Sequence, residues 1–343
     1  MNIQVIGIDL GKSSFHLVGH DCDGRIQFRK KLSRPKLCEF LANHPKTIVA
    51  FEACGGAHWL GRFCHQVGHQ PRLIPPQYVK AYVKSNKNDF IDADAIAEAS
   101  QRPSMRFVEV KSEQAQVIGA IHRIRSGYVK ERTACMSRIG SLLLEFGLSL
   151  PRGHATMKKL FSWLASQNQA IPPMLMEELV EFHEYYTCLN SRISRLDKKL
   201  DHLVSSSEEG LLLKSIPGIG AQTASQCLAE FESVQHFKNG RNLAAWLGLV
   251  PHQHSTGGKP RLLGISKRGN KHLRTLFIHG ARAILSRPDK TGTIFGEWLI
   301  RLRQTKPFNV ACVALANKLA RIVWSVLRYK QRFNAAKLQT RFA

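Results

Sequence analysis

Along the chain, the alternation of hydrophobic and polar positions changes period twice. Residues 3–10 (IQVIGIDL) and 15–20 (FHLVGH) are short apolar runs, and Asp23-Gly24 separates the second of them from RIQFRKKL. Apolar runs joined through an Asp-Gly pair predict strands and a hairpin, because the glycine accepts the positive φ that the turn requires. A helix is expected near 35–44, a buried strand at 47–52 (TIVAFE) and a helix over 57–67. A short strand at 72–74 and helices near 76–84 and 90–101 complete this part. The period then lengthens. Leu175, Leu179, Phe182, Tyr186, Leu189, Ile193, Leu196, Leu200 and Leu203 alternate spacings of four and three, which is the seam of a coiled coil. Pro172-Pro173 opens that helix.

An earlier helix, over about 113–147, places Ile118, Ile121, Tyr128, Cys135, Ile139, Leu142 and Phe146 on one side. The two helices can pair within one chain or across a dimer, and periodicity does not choose between these. After residue 207 the pattern changes again. LLLKSIPGIGAQTASQCLAEF (211–231) reads as helix, Pro-Gly-Ile-Gly turn, helix. In a helix-hairpin-helix, such a turn and the following helix N-terminus meet a phosphate; the same pattern also serves as a plain packing unit. These patterns divide the chain into 1–105 (α/β), 106–207 (helical, a spacer and dimerisation arm) and 208–343 (mainly helical).

Charge adds a partner to this picture. The 343 residues carry 50 Lys and Arg against 25 Asp and Glu, a formal charge of +25, while 43% are hydrophobic. That is a folded chain rather than a disordered basic tail, and its charge suits a polyanion, nucleic acid before an anionic membrane surface. The excess is uneven. Residues 208–343 hold 22 basic and 6 acidic groups, against 14 and 9 in 1–105 and 14 and 10 in 106–207. The most apolar C-terminal run is interrupted by Asn317 and Lys318, and the N-terminus has Asp9 where a signal peptide is apolar. A cytoplasmic protein with no membrane partner is expected. Eight scattered cysteines without a C-x-x-C pair indicate neither a zinc finger nor a disulfide framework.

Candidate chemistry lies at strand ends. Asp9 ends the first strand and Glu52 ends TIVAFE, where an α/β sheet opens its functional edge. Asp89 and Asp92 are three apart and share one helical face, from which Asp94 is rotated away. Three strands, helix, strand, helix, strand, helix is the order of the RNase H-like fold, which other α/β proteins approximate. Four carboxylates converging on that scaffold suit two Mg²⁺ ions roughly 4 Å apart, as in phosphodiester cleavage. The plainer reading is a helix cap at Asp89 and solvated charges beyond it. GIDLGK alone also fits actin-like ATPases and sugar kinases, but these need a second glycine-rich phosphate loop in a duplicated domain.

In the third segment, Ser255 and Thr256 precede Gly257-Gly258, and Lys259, Arg261, Lys267, Arg268, Lys271 and Arg274 follow. A hydroxyl beside two glycines allows a phosphate close to the backbone, and the cations can hold it. His252 or His254 can accept a serine proton; a polar turn on a DNA-binding loop explains the same residues without catalysis. Lys12, Gly218 and Gly220 are further candidates for nucleic-acid contact, and basic residues of the last 46 positions, such as Arg301, Arg303, Lys306, Arg321 and Arg328, are expected to face it.

Taken in order, GIDLGK, FEACGGAHWLG, NDFIDADAIAEA, SIPGIGAQTA, LAAWLGLVP, HSTGGK and GISKRGNKHLR resemble the insertion-sequence transposases of the IS110 family, and HSTGGK with ISKRG its IS1111 subgroup. The resemblance covers nearly the whole chain. It implies an N-terminal RuvC-like domain with a DEDD set at Asp9, Glu52, Asp89 and Asp92, a coiled-coil middle, and a transposase domain whose catalytic serine falls on Ser255. It also implies a homodimer or dimer of dimers that recombines double-stranded DNA at element ends and target, guided by a structured bridge RNA. Ser255 is then expected to attack a phosphodiester beside Mg²⁺ held by the four carboxylates. A metal-dependent nuclease or junction resolvase using water is the alternative, and a non-catalytic nucleic-acid-binding protein a third reading.

Overall fold

A computed structural model describes residues 3–83, 88–167 and 169–336, without the side chains of 288–294. The chain divides into two units, Met1–Glu113 and Gln114–Ala343. In the first, strands β1 (Val5–Leu10), β2 (Ser14–His20) and β3 (Ile26–Ser33) lead to helix α1 (Arg34–Asn43). Next come β4 (Ile48–Glu52), α2 (Ala57–Gln66), β5 (Gln70–Ile74), α3 (Pro76–Val79) and α4 (Asp89–Ser100). The strands form one sheet in the order β3-β2-β1-β4-β5. β1, β2 and β3 pair antiparallel, and β1, β4 and β5 parallel.

Strand alternation decides which face each residue takes. Ile6, Ile8, Phe15, Leu17, Val49 and Phe51 pack against Leu37 and Leu41 of α1 and Leu60 and Cys64 of α2. The opposite face carries Val5 and Ala50, covered by Ala95, Ile96 and Ala99 of α4. Gly7 lies between Val5 and Asp9 on this face. A Cβ there would run into the carbonyl of Ala93, so glycine sets how closely α4 approaches. The helix expected near 76–84 shortens to α3 and a 3₁₀ turn over Lys80–Tyr82, and residue 84 lies outside the described residues. β5 starts at Gln70, two residues before the predicted strand, because it pairs with β4 along the whole of β4's length.

The second unit holds α5 (Glu113–Glu145) from its second residue on, then α6 (His154–Lys158), α7 (Leu160–Ala165), α8 (Pro173–Ser205), α9 (Glu208–Lys214), α10 (Ala221–Glu230) and α11 (Gly240–Trp246). A hairpin of β6 (Pro251–Gln253) and β7 (Leu262–Ile265) leads to α12 (Lys271–Leu285), α13 (Pro288–Thr305) and α14 (Phe308–Tyr329). Along α8 the heptad positions Leu179, Tyr186, Leu189, Ile193, Leu196 and Leu200 are buried. Their partner is α5 of the same chain, running antiparallel. Cys135, Ile139 and Leu143 meet Leu179 and Tyr186, and Ile118 and Ile121 meet Leu196 and Leu200. Leu143 takes the inward place expected for Leu142, which is exposed, because the packing of α6 and α7 through Met157, Leu160 and Leu164 draws the stripe round by one position.

α14 is the one described helix long and apolar enough to cross a membrane, and just over half of its apolar window is buried in the unit. Its Ala311, Leu315, Leu319 and Val323 belong to the largest core of the chain. Lys318, one of the two polar interruptions of this run, is itself buried with its ammonium 4.0 Å from the Trp298 ring. The eight cysteines are free thiols.

One buried polar contact makes this unit acid-sensitive. His122 of α5 is buried, its Nε2 lies 2.9 Å from Ser225 Oγ of α10, and its ring meets that of His272 on α12. Burial, then the neighbouring His272 and Arg125, press its pKa down to about 4 from the ordinary 6.5. An unfolded chain therefore takes up a proton below pH 6.5 that the folded chain refuses until about pH 4. Stability is complete above 6.5 and falls by about 3 kcal/mol as pH drops through that window. Urea midpoints measured from pH 7 to 4 are expected to fall, and more shallowly in His122→Gln.

Candidate functional site

One end of the α4-covered face gathers the acidic residues. Asp9 follows Gly7 on β1, and Glu52 follows Ala50 on β4, so both carboxylates rise from the sheet toward α4. Asn88 caps α4: its side chain accepts the Phe90 N–H at 2.9 Å. The Asp89 carboxylate, expected as cap on the plainer reading, is thereby released, and its Oδ2 lies 3.3 Å from Nδ1 of His16 on β2. His16 pairs directly with Asp9 across the β1–β2 ladder. Asp9, His16 and Asp89 thus offer ligand atoms all within 4.8 Å of one another.

Glu52 and Asp92 complete the cluster. Burial, then the charges of Asp9 and Asp92, hold the Glu52 carboxyl above its usual range. A site whose carboxylates repel one another is relieved by a cation, and hard carboxylate oxygens are the donors that Mg²⁺ takes. The residues present therefore fit a divalent metal. His16 was not singled out in the sequence. The available signal was a pair of histidines, His16 and His20, on one face of an otherwise apolar strand. His20 is buried, with Nε2 2.7 Å from Asp94 Oδ1. Asp94 thus meets His20, four residues along β2 from the His16 that meets Asp89, and ties α4 to β2.

Ser255 stands in the second unit, exposed, on the loop between β6 and β7. Gly257 and Gly258, with φ of 57° and 75°, turn the chain so that Lys259 N–H donates to Thr256 O at 3.1 Å. Ser255 Oγ accepts two hydrogen bonds, from Arg261 N–H at 3.1 Å and from Gln253 Nε2 at 2.9 Å. Both donors favour negative charge on that oxygen and leave its O–H to donate elsewhere. Neither His252 nor His254 hydrogen-bonds the serine among the described residues.

Of the other nucleic-acid candidates, Lys12, Lys259, Arg261, Lys267, Arg268 and Lys271 are exposed. Arg274 departs from expectation. It is 7% exposed, and its Nη1 donates to the carbonyls of Leu247 (3.0 Å) and Arg268 (2.8 Å), so it braces the loop that presents Lys267 and Arg268. Gly218, at φ 82°, lies against Gly280 and Ile284 of α12, and its lack of a side chain serves helix packing. Gly220, at the N-terminus of α10, has open space where a Cβ would point. Arg301, Arg303, Lys306, Arg321 and Arg328 are exposed.

A mixed five-stranded sheet with a carboxylate cluster at one end, followed by a mostly helical region, is the build of the metal-dependent DEDD enzymes that act on phosphodiesters. Residues 210–293 match the profile of the family described as Transposase IS116/IS110/IS902 family, and residues 6–147 that of the DEDD transposases of IS110 type. The chain is 43% identical to the transposase for insertion sequence element IS1328 of Yersinia enterocolitica, over 95% of this chain and 97% of the relative. It is 40% identical to the transposase for insertion sequence element IS1111A of Coxiella burnetii, over 97% and 92%. A pilin gene-inverting protein of Moraxella bovis is 24% identical over 97% and 98%. The chain belongs to the IS110/IS1111 transposases. It is a DNA transposase with an RNase H-like DEDD domain, and that activity implies DNA as a partner and a divalent metal.

Proposed function

We propose that the protein excises and inserts its insertion sequence by serine recombination, with Asp9, Glu52, Asp89 and Asp92 as the Mg²⁺-binding set and Ser255 as nucleophile. The observation that carries the reading is the meeting of Asp9 and Asp89 around His16 beside a Glu52 whose charge Asp9 and Asp92 oppose. Two bound Mg²⁺ ions supply charge neutralisation at the scissile phosphate. The chain's own residues do the rest. Asp9 and Glu52 are placed by the sheet, Asp89 by its contact with His16, and Asp92 one turn further on. Ser255 Oγ gives up its proton and forms a bond to phosphorus, the bond to the departing deoxyribose oxygen breaks, and that oxygen takes up a proton, so the net transfer is from the serine hydroxyl to the sugar hydroxyl. The Arg261 amide and Gln253 stabilise the negative charge that Oγ holds once it gives up its proton.

In the same reading, Lys12, Lys259, Arg261, Lys267, Arg268, Lys271 and the Gly220 turn hold phosphates, and residues 106–207 form a dimerisation arm. A structured RNA encoded by the element guides the choice of DNA. The relative named for pilin gene inversion favours a recombinase over a simple nuclease. The test uses protein from cells carrying the complete element, labelled element-junction DNA, Mg²⁺ and a denaturing gel. A protein–DNA adduct that survives denaturation supports serine attack. Cut DNA without an adduct overturns it in favour of water.

A further inference from the structure

The row of residues that builds the metal cluster continues past it. Asp9 pairs with His16 across β1–β2, and His16 pairs with Lys31 across β2–β3, so the three share one face of the sheet. Two residues along β3, Arg29 pairs with Val18 and takes the same face. α4 covers β1 and β2 but leaves β3, the edge strand, open on this side. Arg29 and Lys31 are exposed there, and among the described residues neither side chain has an ion-pair or hydrogen-bond partner.

Several other cations of this unit are engaged. Lys30, on the opposite face, sits 4.5 Å from the Phe40 ring, and Arg34 lies 4.6 Å over Trp59 and donates to Lys12 O. Arg72 donates to Ser100 O at 2.6 Å, and Arg102 pairs with Glu98 at 2.7 Å.

We propose that Arg29 and Lys31 form a rail for the DNA backbone, gripping the phosphates of one strand next to the one held at the carboxylates. This rests on the carboxylate reading above. Two strand spacings put Lys31 roughly 10 Å from Asp9, and two strand residues put Arg29 roughly 6.6 Å beyond it. The second interval is close to the step between successive phosphates of one strand. The charge order also suits the task. A carboxylate cluster repels DNA at its approach, and cations on the same open face, one strand away, offset that repulsion. Continuity with a site that acts on DNA favours duplex DNA as the occupant.

The test measures binding of element-junction duplex to the nucleoprotein, purified with any RNA it carries, across a salt series. Arg29→Gln/Lys31→Gln is expected to weaken binding by about tenfold or more at moderate salt. It should also flatten the plot of log affinity against log salt by roughly 1.8, at about 0.9 per phosphate contact. Lys30→Gln, on the other face, should change neither, and Lys31→Arg should restore most of the loss. An unchanged slope in the double variant, with wild-type melting temperature, overturns the rail. Loss of copurifying RNA with an unchanged DNA slope overturns the assignment to DNA. Asp92→Asn run in parallel separates the two ideas. Retained strand exchange in that variant sinks the carboxylate reading alone, whereas an intact slope in the double variant sinks the rail alone.

Discussion

Asp92→Asn is expected to lower strand exchange at least about a thousandfold, roughly 4 kcal/mol in activation free energy, while duplex binding stays within about twofold. The side chain keeps its size and polarity, so α4 keeps its packing, but a formal charge leaves a cluster that, on the proposed reading, uses it to hold divalent cations. Asp92 is one of the two carboxylates that raise Glu52, and its removal should let Glu52 titrate at lower pH in metal-free protein. Isotope-edited infrared spectroscopy of the carboxylates reads this second effect independently of activity. Exchange at the wild-type rate in Asp92→Asn would remove this residue from the metal set.

Ser255→Ala is expected to abolish the protein–DNA adduct, and Thr256→Ala to retain it. The two hydroxyls are adjacent but differently placed. Ser255 Oγ receives an amide N–H and a side-chain amide, which favour the charge a nucleophilic oxygen carries. Thr256 takes part in the turn through its backbone, accepting from Lys259. Gln253→Ala removes one donor and should slow adduct formation about tenfold, the worth of roughly one hydrogen bond of 1.4 kcal/mol. Loss of the adduct in Thr256→Ala alone would move the nucleophile by one residue.

Strand ends and helix starts were legible because they depend on neighbours in sequence. Asp9 and Glu52 close apolar runs, Asn88-Asp89 opens a helix, and the heptad of α8 is periodic by itself. His16 was not legible as part of the cluster, since its place there depends on the β1–β2 register that sets it opposite Asp9. Arg274 illustrates the reverse. Lys267, Arg268, Lys271 and Arg274 look alike as a basic run, yet Arg274 falls on the inward stripe with Leu273, Phe277 and Ala281, and helical period alone separates it from the others. The contact of Gly218 with Gly280 joins segments 62 residues apart, which no local pattern reports.

The pairing of α8 with α5 has a consequence for how the chain folds. The two helices are joined through residues 146–172, which carry only the short α6 and α7, so closing the hairpin is a long-range step. A second copy of the chain offers an α5 of identical surface to an unpaired α8. Exchanging α8 between copies would keep the α5–α8 seam contacts, from Leu179 to Leu200, with the partner helix supplied by the other chain. A fraction of pairs that rises with protein concentration during refolding is the expected signature of such an exchange, and a monomeric product at every concentration would show that the seam closes within one chain.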